Sequence, residues 1–312
     1  MNFVEKLNQH YDDMLELRVS LGYSIGKDTS LMREFISFCG KHFLGIEAIT
    51  KEVIDCWIQN REFKANATHN LAISNLREFT RYLIFVGEMA FIPGDGYSVK
   101  KIRYTPYIYT DDELIRLFDA IDALSPIPCS PNREYIVPVM FRMMYCCGMR
   151  PSEPPSLLLN DVNLKTGEVY IRQSKKNKDR RILMSQDLTD LCQKYVSRIM
   201  PQNYFFERTA NSRIDSDWIN NQFHICWRNS GLPKRGKPRP YDFRHNFGTR
   251  TMMRWLNEGK DIASLTPYLS AYMGHTEFSA TLYYIHLLPE HLLKSSGIDW
   301  KRFSNIYPEV QR

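Results

Sequence analysis

The stretch at 92–107, IPGDGYSVKKIRYTPY, most constrains the fold of this chain, because it interrupts the helical apolar spacing found on both sides of it. It mixes glycine, proline and basic residues, a composition typical of an interdomain linker. A chain of 312 residues is also longer than one average hydrophobic core requires. We therefore predict two domains, residues 1–92 and 107–312, joined by a linker at 93–106.

The residues before the linker favour a small helical bundle. Apolar side chains recur at helical spacing, beginning with Leu7 and Tyr11. Ser30, Thr50 and Thr68 are candidate N-cap residues for three later helices. Several helices joined by short connections predict a compact bundle.

The residues after the linker indicate further helices and one small sheet. Thr110 and Glu113 have the spacing of a capping box, and a second helix is expected from Asn132 to Gly148. GEVYIRQS and DRRILM then alternate apolar and polar residues around KKNK, which is typical of a β-hairpin. We therefore predict a mainly α fold, with an N-terminal helical bundle and an α-rich second domain that contains a small antiparallel β-sheet.

Positive charge is concentrated in the second domain. Residues 1–100 hold 11 Lys and Arg against 13 Asp and Glu, whereas residues 101–312 hold 30 against 22. The basic residues cluster at 172–181 and 228–250. This distribution favours a polyanion such as nucleic acid as the partner, with an ordinary solvated charged face as the alternative.

Cysteine usage and hydropathy exclude several classes of protein. The seven cysteines form no CxxC pair and have no matching histidine spacing, so they do not indicate a zinc site or a disulfide framework. The N-terminus lacks a signal-peptide core, and no stretch approaches the roughly 18 apolar residues of a membrane span. We expect reduced thiols, no cofactor or metal, and a cytoplasmic location.

Three short islands combine side chains suited to attack on a phosphodiester: CGMRPSE at 147–153, YDFRHNFGT at 241–249 and GHTEFSATLYYIH at 274–286. Arg150 follows a helix-ending glycine, and Arg244 lies in the first turns of a helix that begins near Pro240. A guanidinium group is permanently charged and presents a planar fork to two phosphate oxygens. Two such groups on rigid helix ends can take the part that a metal ion often plays in phosphoryl transfer.

The other reactive side chains supply a nucleophile and proton transfer. Tyr284 can attack phosphorus once its phenol is deprotonated beside positive charge, with Tyr283 as an adjacent competitor. His275 can hydrogen-bond a phosphate oxygen or assist proton transfer. Lys175, at the mouth of the predicted hairpin, can reach a scissile phosphate and protonate the leaving 5′ oxygen. Considered one at a time, each of these side chains also has an ordinary structural interpretation in place of a catalytic one.

Taken together, these motifs resemble those of the tyrosine recombinases, also called the phage integrase family. CGMRPSEPPSLLLNDV resembles the first arginine box, SKKNKDRRILM the hairpin with the catalytic lysine, YDFRHNFGT the second box H-x-L-R-H, and YMGHTEFSATLYYIH the box that contains the histidine and the nucleophile. The likeness covers essentially the whole chain. It implies a core-binding (SAM-like) helical domain followed by a catalytic domain. The catalytic residues that it implies are Arg150, Lys175, Arg244, His275 and Tyr284.

One position departs from the family pattern. The second box usually begins with histidine, and this chain has Tyr241 there. A phenol can donate a hydrogen bond to a phosphate oxygen, but it cannot act as a base near neutral pH. His245 follows the arginine of the same box, and we expect it to point away from the pocket and to have a structural role.

The resemblance implies a mechanism and a set of partners. Tyr284 attacks the scissile phosphate to give a 3′-phosphotyrosine and a free 5′ hydroxyl, and a partner strand reverses the step without metal or ATP. The partners are double-stranded DNA with inverted-repeat core sites, a homotetramer on two duplexes, and accessory DNA-bending proteins as further candidates. The apolar tail after His286 suits packing on a neighbouring protomer, or within its own domain.

Several alternatives remain open from the sequence. The same residues can support a topoisomerase-like nicking and closing activity without strand exchange. Within recombination, integration or excision of a mobile element is favoured over Xer-like resolution of chromosome dimers. A catalytically inactive DNA-binding module is the alternative from a different class, and Tyr241 is the feature that favours it.

Overall fold

Helices form most of both units of the chain, and a small sheet lies in the second unit. The computed structural model describes residues 2–23, 29–43, 45–100, 104–174, 178–233 and 236–288. The chain divides into two compact units, Met1–Tyr104 and Thr105–Arg312. A mainly helical fold with one two-stranded antiparallel sheet among the described residues confirms the predicted fold class.

The first unit is a set of helices that pack on a shared apolar core. Its described helices are α1 (Phe3–Ser20), α2 (Thr29–His42), α3 (Lys51–Asn60) and α4 (Asn66–Phe85). Edge-to-face aromatic pairs join them: Phe35 lies 5.2 Å from Trp57, and Tyr11 lies 5.3 Å from Phe79, between ring centroids. Such pairs add about 0.5–1.5 kcal/mol to the free energy of burial.

The starts of these helices follow the predicted caps only in part. Thr50 is the N-cap residue of α3, although its side chain makes no capping hydrogen bond. Ser30 lies inside α2, and Thr68 lies inside α4, so the predictions at these two positions were wrong. The side chain of Asn66 donates to the carbonyl oxygen of Lys100 at 3.0 Å, and this contact, distant in sequence, secures the start of α4.

The second unit carries the remaining elements. Its described helices and strands are α5 (Asp111–Asp122), α6 (Arg133–Cys146), β1 (Glu168–Ser174), β2 (Lys178–Leu183), α7 (Gln186–Ile199), α8 (Ser216–Asn229), α9 (Tyr241–Asn257), α10 (Ile262–Met273) and α11 (Ser279–Leu282). Short 3₁₀ helices lie at Pro154–Ser156, Leu159–Asp161 and Tyr283–Leu287. The capping box of Thr110 and Glu113 begins α5 as predicted, and Asn132 is the N-cap residue of α6.

The predicted hairpin is present as the antiparallel pair of β1 and β2. Its register places Val169 opposite Ile182 and Ile171 opposite Arg180. All four of these side chains are buried, so the face of the hairpin that packs on the helices includes one charged residue. The predicted Lys175 belongs to residues 175–177, which are outside the described residues.

An aromatic cluster anchors α9 in this unit. The fully buried ring of Phe243 has five aromatic neighbours from four different parts of the unit, at 5.6–6.1 Å between ring centroids: Tyr109, Phe118, Phe141, Tyr145 and Phe223. A side chain packed from all sides has one rotamer available. The residue that follows it, Arg244, is therefore held at a fixed place and direction.

Two further predictions concern the chain as a whole. Within the described ranges, the seven cysteines are free thiols, and Cys39, Cys147, Cys192 and Cys226 are buried. No described helix is both long enough and apolar enough to cross a bilayer. The predicted tail after His286 lies almost entirely outside the described residues, which end at residue 288.

Candidate active site

The C-terminal ends of α6 and α10 meet at the centre of the site. Gly148, which follows α6, has φ of +62°, and Gly274, which follows α10, has φ of +64°. Both values lie in the left-handed region that favours glycine. A Cβ atom at Gly148 would lie 2.5 Å from the ring of Phe247, so this position has no room for another side chain.

Arg244 binds carbonyl oxygens at both of these helix ends. Its Nη1 atom donates to the carbonyl oxygen of Gly148 at 2.7 Å, and its Nη2 atom donates to that of Met273 at 2.5 Å. The last carbonyl groups of a helix have no partner within the helix and carry partial negative charge. A buried guanidinium group therefore satisfies both ends at once. Burial lowers the pKa of Arg244 to about 10, so it remains charged at neutral pH.

Arg150 is held at the same junction. Its Nη2 atom donates to the carbonyl oxygen of Gly274 at 2.6 Å, and its Nη1 atom donates to Oε1 of Glu153 at 2.9 Å. The other carboxylate oxygen of Glu153 accepts the backbone N–H of Arg150 at 2.7 Å. Glu153 therefore orients Arg150.

Sequence reasoning missed Arg180, which belongs to the same network. Its two terminal nitrogens donate to the two carboxylate oxygens of Glu153, each at 2.7 Å, and its Nε donates to the carbonyl oxygen of Tyr272 at 3.0 Å. Period-two alternation places Arg180 on the same face of β2 as the buried Ile182. A charged residue at an inward position is the signal in the sequence that a buried partner exists.

The charge of Arg180 decides the ionisation of Glu153. Burial by itself would raise the pKa of this carboxyl group, but hydrogen bonding and charge from Arg180, with the backbone N–H of Arg150, bring it below its ordinary value. Glu153 is therefore an anion between two cations. The side chains of Arg180 and Glu153 are each 6% exposed, so solvent has little access to this ion pair.

Tyr284 lies against α9 in the 3₁₀ helix that follows α11. Its ring rests on Gly248, where a Cβ atom would lie 2.5 Å from the ring, so only glycine leaves room for it. Tyr284 is 2% exposed, and burial raises the pKa of its phenol to about 12 despite the opposing effect of Arg244. In this arrangement the phenol is protonated at neutral pH. The neighbouring Tyr283 is only half-buried.

His275 follows Gly274 and also lies beside Tyr284. Its Nδ1 atom is 2.6 Å from the Oγ1 atom of the buried Thr281, and its ring centroid is 5.8 Å from that of Tyr284. Burial lowers the pKa of His275 to about 3, and the charges of Arg244 and Arg150 act in the same direction. The imidazole is therefore neutral, with one nitrogen engaged by Thr281.

Tyr241 and His245 complete the surroundings of Tyr284. Tyr241, the first residue of α9, is 37% exposed, and its ring centroid lies 5.0 Å from that of His245. The His245 ring lies 5.8 Å from the Tyr284 ring. The expectation that His245 points away from the pocket was wrong, because residues four apart on a helix share a face.

A groove lined by three arginines and two carboxylates opens beside this cluster. Its lining includes Arg150 and Tyr241, with further cationic and hydroxyl side chains from the hairpin and neighbouring loops: Ser152, Ser156, Arg172 and Arg213. Arg172 pairs with Asp161 at 2.6 Å, and its side chain is 55% exposed. The described residues contain no group of three or more His, Cys, Asp or Glu placed to hold a metal ion.

The structure thus brings together four of the predicted site residues from three distant segments: Arg150, Arg244, His275 and Tyr284. Tyr241 lies at the exposed edge of the same cluster, and Lys175 is outside the described residues. Arg180 and His245 join the cluster without having been predicted as members of it.

Comparison with known proteins places this chain in a class. The chain belongs to the phage integrase family, whose model matches residues 108–291, and this confirms the resemblance to tyrosine recombinases. It is 27% identical over 300 residues to a protein of Sinorhizobium fredii with the provisional name integrase/recombinase y4rB, covering 90% of this chain and 93% of that protein. It is 28% identical over 232 residues to the tyrosine recombinase XerA of Thermococcus kodakarensis, covering 74% of each chain.

Solved structures agree on the fold. The crystal structure of a lambda integrase tetramer bound to a Holliday junction matches with a TM-score of 0.63 and 16% identity, over 89% of this chain and 76% of that one. At this identity the match establishes a common fold and nothing finer.

Proposed function

We propose that this chain is a site-specific DNA recombinase that cuts and rejoins strands through a 3′-phosphotyrosine intermediate on Tyr284. One observation carries the proposal. Arg150, Arg244 and His275, from three separate segments of the chain, surround one buried tyrosine, and each arginine is fixed by helix-end carbonyl groups. Buried cations placed around a phenol suit attack on a phosphodiester, because both the nucleophile and the transition state become more negative.

In this proposal Arg150 and Arg244 bind the non-bridging oxygens of the scissile phosphate. A phosphoryl-transfer transition state spreads charge over its equatorial oxygens, and fixed guanidinium groups stabilise that charge without reorganising. Removal of one such donor typically costs 10²–10³-fold in rate. The arginines here take the place of a metal ion, and the covalent intermediate conserves the energy of the broken bond, so we propose that neither metal nor ATP takes part.

His275 is proposed to donate to the same phosphate. A phosphate oxygen requires an N–H donor, and the Thr281 hydroxyl can donate to Nδ1, which leaves the proton on Nε2. A neutral imidazole with a fixed tautomer is a directed donor. Tyr241, at the exposed edge, is proposed to donate its phenol hydrogen to the phosphate as well.

The leaving 5′ oxygen needs a proton, and Lys175 is the proposed acid. The described ends of the hairpin, Ser174 and Lys178, stand opposite each other, and Lys175 directly follows Ser174 in the sequence. The proposed step transfers a lysine proton to the departing oxygen as the bond from phosphorus to it breaks. In the reverse step, the attacking 5′ hydroxyl returns the proton.

The proposal extends to the assembly of the protein on DNA and to its biological role. We propose a homotetramer on two duplexes with inverted-repeat core sites, in the cytoplasm, acting in integration or excision of a mobile element. The lambda integrase match is described as a tetramer on a Holliday junction, which supports such an assembly. A second candidate role is Xer-like resolution of chromosome dimers, and the similarity to the tyrosine recombinase XerA of Thermococcus kodakarensis is the observation that favours it.

A covalent trapping experiment tests the activity without knowledge of the site. The full chain is incubated, with EDTA and without ATP, with a pool of nicked duplexes of randomised sequence. The nick releases the short 5′-hydroxyl strand, so the cleaved product cannot be rejoined. We expect an SDS-resistant protein–DNA adduct whose recovered DNA converges on one sequence. DNA binding without any adduct would instead favour the inactive DNA-binding module.

A further inference from the structure

The second family box lacks its usual histidine, and the structure supplies another one nearby. Tyr241 holds that position, and His245 lies one helical turn further along α9. The His245 ring packs beside both tyrosine rings: its centroid lies 5.0 Å from that of Tyr241 in a tilted pair and 5.8 Å from that of Tyr284 in an edge-on pair. The histidine therefore contacts both the residue that replaces the family histidine and the proposed nucleophile.

His245 has a nitrogen available for a proton. Its Nδ1 atom is buried and has no hydrogen-bond partner within the described part of the chain. A buried polar atom without a partner costs about 1–3 kcal/mol, so such atoms often serve a purpose in the site. Burial, with the charges of Arg239 and Arg244, lowers the pKa of His245 to about 4, so the imidazole is neutral. A neutral imidazole can accept a proton.

His275 has a similar distance to Tyr284 but a different environment. One of its nitrogens is engaged by Thr281, and three guanidinium groups oppose its protonation: those of Arg244, Arg150 and Arg180. These same charges draw the phosphate to its other nitrogen. Of the two histidines beside Tyr284, His245 is thus the one whose Nδ1 atom has no hydrogen-bond partner among the described residues.

We propose that His245 accepts the hydroxyl proton of Tyr284 during strand cleavage, an inference that rests on the proposed function. The proton passes from the phenol oxygen to the imidazole while that oxygen bonds to phosphorus. The bond from phosphorus to the 5′ oxygen breaks, and that oxygen takes a proton from the proposed acid Lys175. On resealing, the imidazolium returns its proton to the departing phenolate.

The proton transfer from Tyr284 to His245 takes place in the complex with DNA. In the free protein it is unfavourable, because burial places the pKa of Tyr284 at about 12 and that of His245 at about 4. A bound phosphate adds negative charge beside Arg244, which weakens the repulsion that this arginine exerts on an imidazolium. The developing bond to phosphorus also withdraws charge from the phenol oxygen, so proton loss and attack proceed together.

The test measures single-turnover adduct formation on the nicked duplex recovered from the randomised pool. We expect His245→Gln to slow cleavage on the order of a hundredfold, the usual contribution of a positioned base. His224→Gln, an exposed histidine on α8, is the matched control and should cleave at the wild-type rate. Urea unfolding of both variants reports whether they fold.

A second measurement separates proton transfer from a merely structural role. Tyr284 is replaced by a ring-fluorinated tyrosine, whose phenol is more acidic and needs a base less. We expect the defect of His245→Gln to shrink at least about tenfold in this background, as for a nucleophile that is already partly ionised. An undiminished defect, or a His245→Gln rate within about twofold of wild type, would overturn the proposal. Absence of an adduct from the wild-type chain would instead remove the proposed function.

Discussion

Both terminal nitrogens of Arg180 donate to Glu153, one to each carboxylate oxygen at 2.7 Å, and Glu153 also accepts a hydrogen bond from Arg150. The β-hairpin is thus tied to the first arginine through one buried carboxylate. Because Arg180 also donates to the carbonyl oxygen of Tyr272, the same residue ties the hairpin to the end of α10. A bidentate pair fixes angles as well as distances, so Arg150 has a defined direction before any substrate arrives.

Replacement of Arg180 should therefore cost both stability and cleavage. In Arg180→Met, Glu153 is left as a buried anion with one partner fewer, and removal of one partner of a buried pair typically costs about 3–5 kcal/mol. Urea unfolding should show this loss, and the rate of adduct formation should fall. Arg181→Met is the control, because the Arg181 side chain is 74% exposed, and it should change neither quantity appreciably. Equal behaviour of the two variants would contradict the role given to Arg180.

The glycine at the end of α6 gives a second prediction. Gly148→Ala combines a positive φ with a Cβ atom 2.5 Å from the Phe247 ring, and it displaces the carbonyl oxygen that binds Arg244. Gly259→Ala has a φ of +68° with open space around the new atom, so it reports the backbone strain alone, about 1 kcal/mol. We expect thermal unfolding to show a larger loss for Gly148→Ala, and only this variant to lose cleavage. Comparable losses would mean that packing against Phe247 is unimportant.

Tyr241 gives a prediction about the phosphate contact. Tyr241→Phe removes one proposed hydrogen bond to a charged oxygen, worth about 1.5–3 kcal/mol, so cleavage should slow on the order of tenfold to a hundredfold. The free energy of unfolding should change little, because the side chain is 37% exposed. A Tyr241→Phe variant with the full wild-type rate would show that the hydroxyl has no part in cleavage.

Acid should destabilise the second unit through two half-buried histidines, His245 and His275. The pKa of His275 is lowered to about 3 and that of His245 to about 4, whereas an unfolded histidine has about 6.5. The unfolded chain therefore binds more protons below pH 6.5, and the contribution of both residues, present above that pH, is lost as pH falls towards 4. Urea midpoints measured between pH 7 and pH 5 should fall more steeply for the wild type than for His245→Gln combined with His275→Gln. Parallel slopes would contradict this assignment.

The sequence predicted those features that depend on local chemistry. The capping box at Thr110 and the alternation of the hairpin needed only neighbouring residues, and both are present. The start of α4 was misplaced, because Asn66 is secured by Lys100, which no local pattern reports. Local rules fail where a distant residue provides the hydrogen bond.

The site residues that could be predicted from the sequence are those that belong to family motifs. Arg150 and Tyr284 stood out as members of known boxes, and their convergence followed from the family resemblance, not from any spacing in the chain. Arg180 and His245 gained their roles from tertiary contacts: one lies on the inward face of a strand, and the other lies one turn beyond Tyr241. The alternation of β2 alone indicates that Arg180 faces inward, but nothing in the sequence indicates that Glu153 is its partner.

Identification of the residue that becomes joined to DNA is the sharpest test of Tyr284 as the nucleophile. The nicked duplex is incubated with the wild-type chain, Tyr284→Phe and Tyr283→Phe, and the adduct from the wild type is digested to locate the modified residue. We predict an adduct on Tyr284 that disappears in Tyr284→Phe and persists in Tyr283→Phe, since Tyr284 alone of the two rests on Gly248 beside His275 and His245. An adduct that survives in Tyr284→Phe would contradict the account.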